Sequence, residues 1–233
     1  MLYNFEKTLL VILLSITFSC KNYNNENHYK NFAIVTAKYE ATKAGHKILK
    51  MGGNAFDAMI ATDLALSVVY PNAGNLGGGG FMVYRTSNSQ YGSIDYREKA
   101  PLLSSENMYL DKNGNIIKNL SREGSLSIGV PGTVAGLFEV YEKFGTLPLD
   151  SIFKPALELA KDGFKLTKKQ ADLFNSSKSK ILINSDSLSL FNKNFEKDMI
   201  FSNDKLYKTL KYLLKNGVEG FYDGDISKEI INY

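Results

Sequence analysis

The chain has 233 residues, 44% hydrophobic, 12% aromatic and 22% charged, with a formal net charge of +4. That is a globular composition with material for one large domain, and it excludes collagen-like, coiled-coil and disordered classes. One cysteine excludes an internal disulfide, one cysteine with two histidines cannot assemble a tetrahedral metal site, and the modest charge argues against nucleic acid. Lysines recur from Lys165 to Lys215, but they alternate with Asp172, Asp186, Glu196, Asp198 and Asp204 and lack interleaved arginines, the pattern of a solvated surface.

Residues 1–19 read as an export signal. Lys7 precedes an uncharged run from Thr8 to Phe18, too short to span a bilayer and the right length for a signal core. Ser19-Cys20 closes it as a bacterial lipoprotein cleavage site does, which makes the Cys20 thiol the expected lipidation point. A plain secretory peptide and a buried N-terminal helix with an inert thiol are the rival readings. Residues 20–31 are polar and suit a tether.

Phe32-Ala33-Ile34-Val35-Thr36-Ala37 predicts a strand buried on both faces. A helix follows from about Glu40 to Met51 and stops at Gly52-Gly53. His46 lies on it among Lys43, Lys47 and Lys50, with no second ligand or acidic partner at helical spacing, and reads as a surface residue. Asn54 caps the next helix, Ala55 to Val69, with Asp57 favouring its N-terminal amides. Only Asp57 and Asp63 carry charge there, so burial on nearly all sides is expected, with Ala55, Ala58, Ala61 and Ala65 forming a small-residue face for close approach to a sheet. Pro71 ends it.

Gly77-Gly78-Gly79-Gly80 invites a phosphate-cradle reading, yet a cradle must open into a helix whose amides face the anion. These glycines instead lead into Phe81-Met82-Val83-Tyr84, a strand, and no Gly-Lys-Ser/Thr follows. The stretch therefore reads as a backbone pivot, either a bare turn or one beside a ligand site. Phe81 to Arg85 and Tyr91 to Tyr96 predict an antiparallel hairpin. Arg97 follows its second strand. A guanidinium there can grip a carboxylate through two parallel hydrogen bonds, or it can pair on the surface with Asp95 or Glu98.

Asn113-Gly114 signals a turn, and Ser125 to Thr133 predicts a short strand entering a helix that carries Val134, Leu137, Phe138 and Tyr141 and closes at Gly145. Asp150 is expected to cap another helix, to about Asp162, and Leu206, Leu210, Leu213 and Leu214 mark one that ends at Gly217. Ile226 and Ile230 begin a final stripe with no C-cap after it, which suggests an unfinished protein.

Gly52-Gly53-Asn54-Ala55 with Asp57-Ala58, Gly74-Asn75-Leu76-Gly77-Gly78-Gly79-Gly80-Phe81-Met82, Asp95-Tyr96-Arg97-Glu98 with Ala100-Pro101, Val130-Pro131-Gly132-Thr133-Val134-Ala135-Gly136 and Phe221-Tyr222-x-Gly occur in this order. Together they resemble gamma-glutamyltranspeptidase, also called glutathione hydrolase, and cover residues 32–233 as its N-terminal large-subunit portion. The resemblance implies an α+β fold, a helix-rich part of an Ntn-hydrolase-type αββα sandwich. It also implies cleavage of gamma-glutamyl compounds such as glutathione without a metal or organic cofactor.

In the family a precursor cuts itself and frees a threonine that is both nucleophile and, through its own amine, base. That residue belongs to a C-terminal small-subunit portion, so no catalytic residue is assigned here and the chain alone is expected to be inactive. Arg97 matches the arginine that holds the substrate alpha-carboxylate, with Asp95 and Glu98 as supporting neighbours. The partners implied are that small-subunit portion and the membrane, through an N-terminal lipid on an exported protein. A non-catalytic remnant, or an anchored module binding gamma-glutamyl compounds through Arg97, is the alternative.

Overall fold

Two glycines and an asparagine make the first corner. The computed structural model describes residues 31–74, 76–183 and 189–232, and Cys20 with the proposed signal lies outside them. Helix α1 (Tyr39–Lys50) ends at Gly52, whose φ of 91° few other residues tolerate. Asn54 then starts α2 (Ala55–Val69). Its side chain accepts from the Phe56 and Asp57 amides, while Asp57 accepts in return from the Asn54 amide at 3.0 Å, a reciprocal capping box.

Asp57 is fully buried and does more than cap. It also accepts from the amide and hydroxyl of Thr146, and Asn54 donates to the Phe144 carbonyl at 2.6 Å. Three hydrogen bonds thus tie the start of α2 to the end of α3 (Thr133–Phe144) and the turn after it. Helix α2 is buried along most of its length, against α1, α3 and α4 (Leu149–Asp162).

The small-residue face faces helices rather than a sheet. Gly45 of α1 sits so close to Ala58 and Thr62 that a methyl there would overlap the Thr62 side chain. Ala58, Ala61 and Ala65 are buried and Ala55 is exposed. The reason is supply: the large apolar surfaces next to α2 belong to helices. The hairpin, β1 (Phe81–Arg85) and β2 (Tyr91–Asp95), meets the start of α2, where Tyr84 packs edge-on to Phe56, and Phe56 stacks on Phe144 at 4.2 Å.

The hairpin register is that of a simple antiparallel pair, Phe81 opposite Asp95 and Arg85 opposite Tyr91. Met82 and Ile94 point to the core, whereas Phe81, Val83 and Tyr91 are 65, 85 and 74% exposed on the other face. Residues 32–37 are not a strand. Their side chains alternate, Ile34 packing on the core and Val35 standing 92% exposed, so the stretch is not buried on two faces and has no ladder partner among the described residues.

Two further expectations change. Residues 125–133 hold one 3₁₀ turn (Ser125–Ser127) and a single bridge from Val130 to Lys99 rather than a strand, because no neighbouring strand runs beside them. Asp150 does not cap α4; the helix begins at Leu149 after Pro148, and Asp150 sits in its first turn, where its charge complements the helix dipole.

The C-terminal half is knit by aromatic rings. β3 (Phe164–Lys165) pairs with β4 (Ile200–Phe201), and Phe164 and Phe201 join Phe174 of α5 (Lys168–Ile183), Phe191 and Phe195 in one cluster. Helix α6 (Asp204–Tyr222) is capped by Asn203 and broken at Gly217, where φ is 63° and ψ −156°. The predicted stop at Gly217 is therefore a kink, followed by one more turn that carries Phe221 and Tyr222 before α7 (Asp225–Asn232). The architecture is a helix-rich α+β unit over residues 34–233.

Candidate functional site

Three glycine segments close on one piece of backbone, Tyr96-Arg97-Glu98. The hairpin ladder continues one residue beyond β2, with Tyr96 donating to the Gly80 carbonyl at 3.0 Å and Gly80 to the Tyr96 carbonyl at 3.3 Å. A methyl on Gly79 would lie 2.6 Å from the Tyr96 carbonyl oxygen and 2.8 Å from the Arg97 Cα. From the other side, Gly132 leaves no room for a side chain against the Tyr96 carbonyl, and Gly136 none against the Tyr96 ring. None of these glycines has positive φ, so space rather than conformation demands them.

The two glycine walls also bond to each other. The amides of Gly132 and Thr133 both donate to the Gly78 carbonyl, at 2.8 and 3.0 Å. Lys99 and Val130 exchange backbone hydrogen bonds of 3.1 and 2.7 Å. Arg97 thus stands between two fixed residues, Tyr96 and Lys99, and its own amide donates to Asp95 Oδ1 at 2.9 Å. The phosphate-cradle reading of Gly77 to Gly80 has no geometry to support it, since the run opens into β1 and one of its carbonyls, that of Gly78, is an acceptor for the 132–133 amides.

Arg97 is exposed and lines an open groove of about 400 Å³ with Asp95, Tyr96, Lys99, Glu139 and Tyr222. Among the described residues its guanidinium has neither a hydrogen bond nor an ion pair, so the surface pairing with Asp95 or Glu98 is not formed. Asp95 acts on the Arg97 backbone rather than its head group. Glu98 is exposed, packs its Cβ near Gly129 and is not part of the groove wall.

Helix α3 starts at this groove with an unusual cap. Gly132 occupies the N-cap and offers no side chain. The Tyr222 hydroxyl supplies what is missing, accepting from the Ala135 amide at 3.2 Å and donating to the Pro131 carbonyl at 2.8 Å. Burial pushes the Tyr222 hydroxyl pKa up, partly offset by the Ala135 amide, which keeps it a neutral donor. Burial also raises Tyr96, helped by the nearby Asp63 carboxylate, and Asp63 itself is raised by burial.

Tyr222, Gly132 and Gly136 were legible only as motif letters; nothing in their spacing signals that residues about ninety positions apart share a groove. His46 is exposed and lines a separate depression between α1 and α4, with Lys43, Lys47, Lys50, Glu158 and Asp162, where Lys47 pairs with Glu158 at 3.1 Å. That depression and the Arg97 groove have no residue in common. Among the described residues no three His, Cys, Asp or Glu side chains gather to hold a metal ion, and no helix is long and apolar enough to cross a membrane.

The family model for gamma-glutamyltranspeptidase matches residues 41–233. The chain is 39% identical to a glutathione hydrolase proenzyme of Pseudomonas sp. (strain A14) over 236 residues, covering 97% of this chain and 41% of that protein. It is 40% identical over 205 residues to a glutathione hydrolase proenzyme of Escherichia coli (strain K12), covering 86% of this chain and 35% of that one. It therefore spans about two-fifths of the length of these relatives. Among solved structures, Helicobacter pylori gamma-glutamyltranspeptidase superposes with a TM-score of 0.82 at 37% identity, over 87% of this chain and 59% of that one. The Pseudomonas nitroreducens gamma-glutamyltranspeptidase complexed with L-DON gives 0.79 at 35% identity, over 88 and 61%. The match agrees with a partial Ntn-hydrolase-type sandwich.

Proposed function

Since the chain belongs to the gamma-glutamyltranspeptidase family, we propose that it is the large-subunit portion of a gamma-glutamyltransferase or glutathione hydrolase acting on gamma-glutamyl compounds such as glutathione. Arg97 holds the alpha-carboxylate of the glutamyl group through paired, charge-assisted hydrogen bonds. The observation that carries this role is an arginine with no partner of its own among the described residues, at the lip of a groove, on backbone fixed from both sides. Asp95 supports it by fixing the Arg97 amide. Glu98 is assigned the same supporting role on the resemblance alone.

The attacking group is a threonine of a C-terminal portion. Its hydroxyl oxygen adds to the gamma-carbonyl carbon while its alpha-amine takes the proton. The tetrahedral intermediate then collapses and expels the amine of the leaving peptide, which collects that proton, and leaves a gamma-glutamyl ester. Water or an acceptor amine resolves the ester and restores the hydroxyl. The exposed face of the hairpin, with Phe81, Val83 and Tyr91, is where the threonine-bearing portion packs.

Release of the chromophore from a gamma-glutamyl anilide tests this. The chain alone is expected to be silent, and the chain produced with a threonine-led C-terminal portion active. Activity of residues 1–233 alone would overturn the assignment of the nucleophile. Residues 1–19 serve as an export signal with Cys20 the acyl acceptor; the mass of the mature N-terminal peptide, with or without diacylglycerol, decides it.

A further inference from the structure

We infer that Tyr222 is a positioning residue for Arg97: its hydroxyl, reaching from the last turn of α6, locks the 130–136 segment that holds the Arg97 backbone in place. This rests on the reading of Arg97 as the carboxylate anchor.

The argument begins with a conflict at Gly132. A helix N-terminus leaves amides without partners, and the usual remedy is a Ser, Thr, Asp or Asn side chain at the N-cap. Here the N-cap must be glycine, because any side chain would collide with the Tyr96 carbonyl. The cap that Gly132 cannot supply arrives from Tyr222, whose hydroxyl accepts from Ala135, 87 positions away and at the third helical position, and donates to Pro131 just before the cap. One oxygen therefore bonds on both sides of Gly132.

The rest of the chain puts the hydroxyl there. Gly217, at φ 63°, breaks α6 and re-aims its final turn. Phe221 is 4% exposed and anchors that turn in the core. Immediately afterwards Gly224 lies so close to Gly220 that a methyl would come within 2.5 Å of the Gly220 carbonyl oxygen, which fixes the exit. From Tyr222 the path to Arg97 is short and made of hydrogen bonds. Pro131 is flanked by Val130, paired with Lys99, and by Gly132, which presses on Tyr96 and bonds to Gly78. Lys99 and Tyr96 bracket Arg97. Loosening the 130–136 segment frees one wall of the arginine's backbone, and a carboxylate clamp that must hold a fork geometry loses affinity when its base moves.

The test uses the precursor carrying both portions, with Tyr222→Phe, which keeps the ring and removes only the oxygen. Ala135→Pro is the second variant. It removes the donor at an early helical position where proline is tolerated, and its ring carbon, standing where the amide hydrogen pointed at the Tyr222 oxygen, pushes that oxygen off the cap. Each should raise KM for a gamma-glutamyl anilide about five- to tenfold, with kcat within about twofold, the loss expected for one neutral hydrogen-bonded link. In an Arg97→Ala background neither should raise KM further, because the group they position is gone. A global packing role would instead lower stability and the amount of active enzyme and leave KM unchanged. If Tyr222→Phe does not accumulate as folded protein, Ala135→Pro decides alone. Unchanged KM in the folded variants, or an equal KM rise with and without Arg97, overturns the inference. If Arg97→Ala itself has no effect on KM, the functional reading fails first and on separate grounds.

Discussion

Replacing Gly132 with alanine separates crowding from conformation. Gly132 has φ −110° and ψ −19°, a backbone that alanine adopts freely, so the whole cost comes from the added methyl. That methyl would sit 2.7 Å from the Tyr96 carbonyl carbon and 2.9 Å from the Arg97 carbonyl oxygen, and would overlap the Tyr96 oxygen outright. Backbone atoms cannot swing aside as a side-chain tip can. Relief requires the 132–133 amides to draw back from the Gly78 carbonyl, which adds the loss of two hydrogen bonds of 2.8 and 3.0 Å. Overpacking at about 1–3 kcal/mol plus weakening of those bonds at about 0.5–1.5 kcal/mol each gives about 2–6 kcal/mol.

The matched control is Gly52→Ala. There φ is 91° and nothing lies within 4 Å, so strain alone costs about 1–2 kcal/mol. Urea denaturation of the two variants should rank Gly132→Ala as the more damaging. A melting shift of about 2–4 °C per kcal/mol places it about 4–24 °C below the parent. The two should also differ in kind, with KM for a gamma-glutamyl anilide raised by Gly132→Ala and unchanged by Gly52→Ala. A Gly132→Ala protein that is destabilised by less than about 1 kcal/mol and keeps its KM would refute the idea that close backbone packing sets Arg97 in place.

Two other outcomes follow from buried carboxylates. Asp57→Ala strips acceptors from the Asn54 amide and from the amide and hydroxyl of Thr146, and should cost about 3–5 kcal/mol by chemical denaturation; a loss under about 1 kcal/mol would mean these donors find new partners. Asp63 has its pKa raised by burial, so the folded state holds its proton more tightly than the unfolded chain does. Stability is then lost as pH rises from the ordinary value of 3.8 through the raised one. Asp63→Asn should consequently raise the melting temperature at neutral pH and leave it nearly unchanged below pH 3.8, and a gain that is the same at both would show that ionisation is not its source.

The sequence shows the helices that carry their own punctuation. Asn54 with Asp57 marks the start of α2, Gly52 and Gly163 close α1 and α4, and the apolar alternation with a polar turn between marks the hairpin. It misleads where an element depends on a neighbour distant in sequence. Residues 32–37 have strand composition but no ladder partner among the described residues, and the alanine face of α2 meets helices, with Gly45 of α1 pressed against Ala58 and Thr62. The five-ring cluster around Phe201 is invisible as a pattern, since its members come from two short strands, a helix and a loop.

At the site, Arg97 stands out by its chemistry and its motif. Its immobilisation does not, because the reason for Gly132 is the carbonyl of Tyr96, and the reason for Tyr222 is the side chain Gly132 lacks. Such reasons exist only between residues, and spacing along the chain does not encode them.

The most direct measurement compares two substrates on the precursor carrying both portions, a gamma-glutamyl anilide and its 4-aminobutyryl analogue without the alpha-carboxylate, each with native protein and with Arg97→Ala. If the guanidinium grips that carboxylate, Arg97→Ala lowers kcat/KM for the glutamyl substrate by about 10- to 150-fold, the range for hydrogen bonds to a charged group, and leaves the analogue unchanged. An equal fall for both substrates, or none for either, would contradict it.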